Sequence, residues 1–229
     1  MCGRFTLRTA ATDLAEILGV DERPNLAARY NIAPGQDVLV VRASPGDGGE
    51  REFATPRWGL APSWAKDPAM GARMINARAE TLAEKPSFRE AFRRRRCLVA
   101  ADGFYEWQKA PDGSRQPFHI RFDSDAPFAI AGLWETWRAP SGETLETCAL
   151  ITTDANRTLA PIHHRMPAIL PPEAYGVWLD GRSSGDVLSA LLRPYPPDGL
   201  VAHAVGPRVN DTRHDDAACL EPAARGMLL

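Results

Sequence analysis

The stretch from Arg96 to Thr153 constrains the fold more than any other part of the chain. Arg96–Ala101 is a strand-like apolar run that leads into Asp102-Gly103-Phe104-Tyr105-Glu106-Trp107. Pro111-Asp112-Gly113-Ser114 then supplies a turn, after which Phe118, Ile120 and Phe122 alternate with polar residues as in a half-buried strand. Pro127–Arg138 and Thr144–Thr153 read as a hairpin joined by Ala139-Pro140-Ser141-Gly142. Strands joined by turns this short pair with antiparallel neighbours.

The flanks add shorter elements. Leu14, Ile17 and Leu18 fall at helical spacing within Thr6–Val20, with Thr9 or Thr12 as the opening cap and Gly19 as the stop. Tyr30–Gly35 reads as irregular, and Asp37–Ala43 with Arg51–Trp58 as a hairpin around the glycine-rich Ser44–Gly49. Ser87-Phe88-Arg89-Glu90 has the form of a capping box, predicting a helix that ends in the solvated run Arg93–Arg96. Pro171–Leu179 and Asp186–Leu192 look helical, and Leu200–Val205 looks like a last strand. The expectation is an α+β fold: one domain with a mainly antiparallel, barrel-like β core and peripheral helices. That domain is expected to span residues 1–206, with 207–229 as a loosely held C-terminal tail.

Composition narrows the function. No stretch approaches the run of about 18 apolar residues that a membrane span needs, and no charged-then-apolar leader opens the chain. The four cysteines form no CxxC pair, so no metal site, and no cofactor, is expected. Cys97 and Cys148 sit in apolar runs and read as buried small hydrophobes, and a reducing cytoplasm fits all four. A net charge of −2 excludes a generally basic nucleic-acid coat, so any DNA role must use a local groove.

The candidate chemistry begins at Cys2. If Met1 is removed, Cys2 carries an α-amine and a thiol on adjacent carbons, groups that titrate near about 8 and 8.5. Such a 1,2-aminothiol attacks acyl groups, or condenses with an aldehyde and closes to a thiazolidine. Glu106, set between Tyr105 and Trp107, is either a desolvated proton carrier or a residue turned outward to water. His163 and His164 occupy a loop closed by Pro167, where adjacent side chains point different ways and at most one faces a site. Asn76 and Arg78 fall on one side of an extended segment, an amide and a guanidinium suited to an oxygen-rich substrate. The loop Trp58–Trp64 offers either core-covering aromatics or a platform on which a base stacks.

Met-Cys-Gly-Arg-Phe at the start, Asn-Ala-Arg-Ala-Glu-Thr at 76–81, Gly-Phe-Tyr-Glu-Trp at 103–107 and His-His-Arg-Met-Pro at 163–167 together resemble the SOS-response-associated peptidase (SRAP) family. The resemblance runs from Cys2 to about the strand at 200–205. It implies a protein that recognises abasic sites in single-stranded DNA and links to them covalently through its N-terminal cysteine, with peptidase activity that removes the initiator Met. It also implies roles: Cys2 as nucleophile, Glu106 and His163 as proton carriers, and Asn76 orienting the opened sugar or the cysteine backbone. Arg4, Arg78 and Arg165 would hold DNA, with Trp64 stacking on a base. His163 matches the family motif better than His164. A monomer acting on DNA, with no membrane partner, is expected. The rivals are an N-terminal-cysteine amidohydrolase or thiol peptidase, and a non-covalent single-strand-binding module.

Overall fold

The computed structural model describes residues 2–44 and 50–223. Two sheets, of five and nine strands, curl into a half-barrel around a shared core. In chain order the elements are β1 (Arg4–Leu7), α1 (Ala11–Leu18), β2 (Arg29–Ile32), β3 (Val40–Ala43), β4 (Arg51–Ala54), β5 (Arg57–Trp58) and β6 (Asn76–Arg78). Then follow α2 (Arg89–Arg94), β7 (Arg96–Ala101), β8 (Gly103–Lys109), β9 (Arg115–Phe122), β10 (Phe128–Arg138) and β11 (Thr144–Asp154). The last are β12 (Arg165–Pro167), β13 (Ile169–Leu170), α3 (Tyr175–Leu179), α4 (Gly185–Leu191) and β14 (Leu200–Ala204).

The first sheet runs β14-β9-β8-β1-β2 and the second β12-β11-β10-β7-β3-β4, with β13 against β10 and both β5 and β6 against β11. Pairing is antiparallel except where β5 and β6 lie parallel to β11. The expected β10–β11 hairpin forms, and β3 pairs with β4, although the turn expected between them falls from residue 45 on outside the described residues. The α+β, barrel-like expectation matches this architecture. Aromatic residues join the sheets: Phe5 of β1 meets Trp58 of β5 with ring centroids 5.2 Å apart, and Phe104 of β8 meets Phe128 of β10 edge-on at 6.5 Å. Cys97 and Cys148 are both fully buried in this core.

Several local expectations are corrected. The short helix expected within Thr6–Val20 forms as α1, but neither Thr9 nor Thr12 caps it: Ala10 holds the N-cap and the Thr9 hydroxyl donates to Asp102. Residues 30–32 of the stretch expected to be irregular belong to β2, which pairs with β1 and which Asp215 secures by accepting the Tyr30 and Asn31 N–H groups. Ser87 does not cap α2. Phe88 holds that position without a side-chain bond.

The arginine run splits. Arg93 and Arg94 are exposed at the end of α2, whereas Arg95 pairs with Glu135 and Arg96 is buried. The Arg96 guanidinium donates to the carbonyls of Trp178, Phe92, Arg93 and Asp180 at 2.6–2.8 Å, satisfying acceptors at the ends of α2 and α3. Arg96→Ala would take this donor from the Trp178, Phe92 and Arg93 carbonyls, while the Asp180 carbonyl keeps the Ser183 N–H. It is expected to destabilise the protein by about 3 kcal/mol, read as a lower urea midpoint.

The segment beyond Pro207 is also firmly placed as far as residue 223. Short 3-10 helices at Pro207–Asn210 and Ala217–Leu220 lie against the outer face of the first sheet, where Val209 and Cys219 pack on Tyr105 and Val205. Residues 224–229 lie outside the described residues.

Candidate active site

The site lies across the seam between the sheets. Cys2 immediately precedes β1, and Glu106 sits in β8, the antiparallel neighbour of β1 through the Arg4–Tyr105 register. The second sheet contributes Asn76 from β6 and His163 from the loop entering β12. The Asn76 amide Nδ2 donates to the Cys2 carbonyl at 2.8 Å, a bond that ties one sheet to the other. Nδ1 of His163 lies 4.0 Å from Oε1 of Glu106. Residues separated by most of the sequence thus meet in one place.

Alternation on β8 explains why Glu106 faces inward. Phe104 and Glu106 share the face toward the second sheet, while Tyr105 and Trp107 turn to the outer face. The carboxyl group is only 2 % exposed, which removes the reading of an edge residue in water. Burial pushes its pKa up to about 7, so acid and carboxylate are both populated near neutrality. Burial, reinforced by the nearby Glu106 charge, also raises the Cys2 thiol well above its ordinary range. Cys2 is therefore a thiol at rest and needs a proton acceptor to become a nucleophile.

His163 is fixed by its neighbours. Its Nδ1 accepts the Arg165 N–H at 3.0 Å, the shorter of two contacts with that residue (the carbonyl lies at 3.3 Å), which favours the neutral ring with its proton on Nε2. Burial lowers its pKa, which favours that neutral form. The two histidines do not diverge as expected. A helical turn from Asn156 to His163 stacks their rings, with centroids 4.4 Å apart, and leaves His164 exposed on the outside.

The other predicted residues lie around this cluster. Arg4 Nη1 donates to Asn31 Oδ1 at 2.9 Å and to the Val209 carbonyl at 2.6 Å, with the guanidinium 5.9 Å from the centre of the Trp107 ring. Arg78 is exposed at the end of β6, one alternation from Asn76, with Ala77 buried between them. Trp64 is 57 % exposed on the loop that runs into β6. That loop is closed where Gly59 and Gly71 cross: a Cβ on Gly71 would stand 2.2 Å from the Gly59 carbonyl oxygen. Arg165 is buried instead of displayed. Its guanidinium pairs with Glu80 and Asp154 at 2.7–2.9 Å and donates to the Thr152 carbonyl.

Sequence reasoning passed over the residues that hold these groups. Asn31 accepts from Arg4 while its own amide donates to the carbonyls of Asp211 and His214. Gln108 donates to the Pro161 carbonyl, pinning the histidine loop to β8. Asn156 caps the turn before His163 by accepting the Thr158 and Leu159 N–H groups. An Asn opening a short polar turn is a recognisable signal for the last; Asn31 and Gln108 have no local one. Among the described residues, no group of three or more His, Cys, Asp or Glu is placed to hold a metal ion.

Comparison with known proteins identifies the family. The abasic site processing protein YoqW of Bacillus subtilis is 41% identical over 225 residues, covering 96% of this chain and 99% of its own. The abasic site processing protein HMCES of Mus musculus is 38% identical over 85% of this chain and 65% of its own. A crystal structure of a protein from Bacteroides thetaiotaomicron superposes with a TM-score of 0.86 at 26% identity, covering 97% of this chain and all of that one. The family model for the SOS response associated peptidase (SRAP) matches residues 1–212, a span that holds Cys2, Asn76, Glu106 and His163 together, and the chain belongs to that family.

Proposed function

We propose that this protein recognises abasic sites in single-stranded DNA and traps them covalently through Cys2 once Met1 has been removed. The observation that supports this most strongly is the convergence of Cys2, Asn76, Glu106 and His163 on one site, in a relative of abasic site processing proteins. An abasic deoxyribose in its open form carries an aldehyde at C1′. The Cys2 α-amine adds to that carbon, giving a carbinolamine, and loss of water gives an imine. The thiol then adds to the imine carbon while its proton passes to the imine nitrogen, closing a thiazolidine. No electron is gained or lost, and the by-product is one water.

Each neighbour has a step. The Nε2–H of His163 can donate to the ring oxygen as the sugar opens. Glu106, with its pKa near about 7, can take a proton from the attacking amine and return it to the departing hydroxyl. Asn76 holds the Cys2 carbonyl and so fixes the amine's direction of attack. Arg78 and Arg4 would face backbone phosphates, and Trp64 would stack on a base. A phosphate reaching Arg165 would compete with Glu80 and Asp154 for the same guanidinium. The same cysteine, glutamate and histidine would serve in peptide cleavage, including release of Met1. We place the protein in the cytoplasm as a monomer; no helix among the described residues is long and apolar enough to cross a membrane.

A denaturing gel tests the reading. Met1-free protein is mixed with a single-stranded oligonucleotide bearing one abasic site, beside an undamaged strand and a Cys2→Ala variant. The expected result is a shifted band that survives denaturation, needs the lesion and vanishes in Cys2→Ala. Absence of that band with Met1 confirmed gone would overturn the proposal and favour peptide or amide substrates.

A further inference from the structure

The 3-10 segment after Pro207 lies on the outer face of the first sheet, where it holds side chains that are close chain neighbours of the site residues. Asn210 Oδ1 accepts the Trp107 indole N–H at 2.8 Å. One residue earlier, the Val209 carbonyl accepts from Arg4 at 2.6 Å. Trp107 is the chain neighbour of Glu106, and Arg4 lies two residues from Cys2, so the segment grips one residue beside each reacting group. Asn31 locks the arrangement from below, since its Oδ1 accepts from Arg4 and its amide donates to the Val209 carbonyl at 3.2 Å. Asp215, further along the segment, accepts two N–H groups of β2 and holds that strand in place. Val209 itself is fully buried, which gives the segment a fixed seat instead of a surface path.

We infer that this segment is a built-in brace for the DNA-facing rim, and that Asn210 is a positioning residue that sets affinity for the strand by orienting Trp107. The inference rests on the DNA-binding reading of the site. Packing against the Tyr105, Val205, Val209 and Cys219 cluster seats the Trp107 ring but leaves its N–H without a fixed direction. With that N–H held by Asn210, the indole presents its face in a single plane beside the Arg4 cation. A base stacking there meets a preformed platform, and the ordering cost of binding falls. Asn210 touches no reacting atom, so it acts on binding and leaves the chemistry to Cys2 and Glu106.

The test uses the full chain. A fluorescein-labelled undamaged single strand is titrated and followed by anisotropy, and cross-linking to the abasic strand is timed over a range of DNA concentrations. Asn210→Ala is expected to weaken binding of the undamaged strand about fivefold and to raise the half-saturating DNA concentration for cross-linking equally. The limiting cross-linking rate should stay within about twofold, and the melting temperature should be unchanged. In a Trp107→Phe background, which has no indole N–H, Asn210→Ala should have no further effect on binding. Equal loss of affinity in both backgrounds would overturn the proposal, as would unchanged binding in Asn210→Ala. A wild-type protein that binds the undamaged strand but forms no cross-link would sink the covalent reading and leave the brace testable by anisotropy. Failure to bind either strand would sink both.

Discussion

Glu106→Gln is expected to slow cross-link formation by about 100-fold or more while leaving the site's shape intact. Glutamine fills the same volume between the sheets but carries no transferable proton, so it removes the acid–base step alone. The pH profile separates this from a packing effect. In the wild type the rate should fall as pH drops through about 7, because Glu106 loses the carboxylate that accepts the amine's proton. The α-amine contributes its own rise with pH in both proteins, near about 8. Single-turnover gels between pH 5.5 and 9 should therefore show the limb near neutrality in the wild type only. A variant with the same profile as the wild type would exclude Glu106 from proton transfer.

The same substitution should stabilise the protein above neutral pH. The folded-state pKa of Glu106 lies above its ordinary 4.5, so the folded state binds more protons than the unfolded one between those values. Stability is then lost as pH rises through that window, and it is Glu106 that loses it. Glutamine has no charge to bury. A higher urea midpoint at pH 8 in a slower protein would mark a residue kept for chemistry at the expense of the fold.

The second large effect concerns Asp102, on the other side of the same strands. Its carboxylate accepts from the Thr6 hydroxyl at 2.6 Å, from the Arg8 side chain and main-chain N–H, and from the Thr9 N–H and hydroxyl. Burial alone would raise its pKa, but the hydrogen bonds from Thr6 and Arg8 prevail and hold it below 3.8. Every partner is a donor. Asp102→Asn turns an amide group toward at least one of them and removes the charge that Arg8 faces. A loss of about 3 kcal/mol or more at pH 7 is expected, read from urea unfolding.

Because the Thr6 hydroxyl donates to Asp102, its oxygen can only accept from His119 Nε2, 3.2 Å away. His119 Nδ1 is buried with no hydrogen-bond partner, so there is nowhere to place a second proton. Burial, with the positive neighbours His203 and Arg8, pushes this histidine down to about 3. Its folded pKa is depressed, so the unfolded chain takes up a proton first and stability falls as pH drops from about 6.5 toward 3. The Asp102 contribution disappears only below 3.8. Acid unfolding of the wild type should thus begin well above the carboxylate range. His119→Gln, whose amide N–H can replace the Nε2–H bond to Thr6, should shift that onset to lower pH.

The fold was legible where local pattern and tertiary environment agree. The alternation at Phe118, Ile120 and Phe122 and the turn at Gly142 announce β9 and the β10–β11 hairpin, and both form. Glycine in the left-handed conformation at 19 ends α1 as its position suggests. What failed was short or depended on distant partners. β5 and β6 span two and three residues and exist only because β11 offers an edge to pair with in parallel. Ser87 has the spacing of a cap, but the chain before it already forms turns that close on the Lys85 carbonyl. Arg95 and Arg96 look like the rest of their run until β7 carries them inward.

For the site, motif identity selected Cys2, Asn76, Glu106 and His163, but only the sheets reveal why they belong together. The signal for Glu106 was its aromatic neighbours; its depth came from the parity of β8. Arg165 carries a cation in a motif, which from sequence reads as a ligand for phosphate. Its carboxylate partners Glu80 and Asp154 come from separate segments and leave no trace near position 165.

The placement of the site across two sheets has a consequence for how the protein is born. A ribosome releases Cys2 first, then Asn76, Glu106 and finally His163. Early in synthesis the nascent chain therefore holds Cys2 with neither the Glu106 carboxylate nor the His163 imidazole beside it. Contacts of such long sequence separation form late and slowly. The assembled site is complete only when the last loop docks.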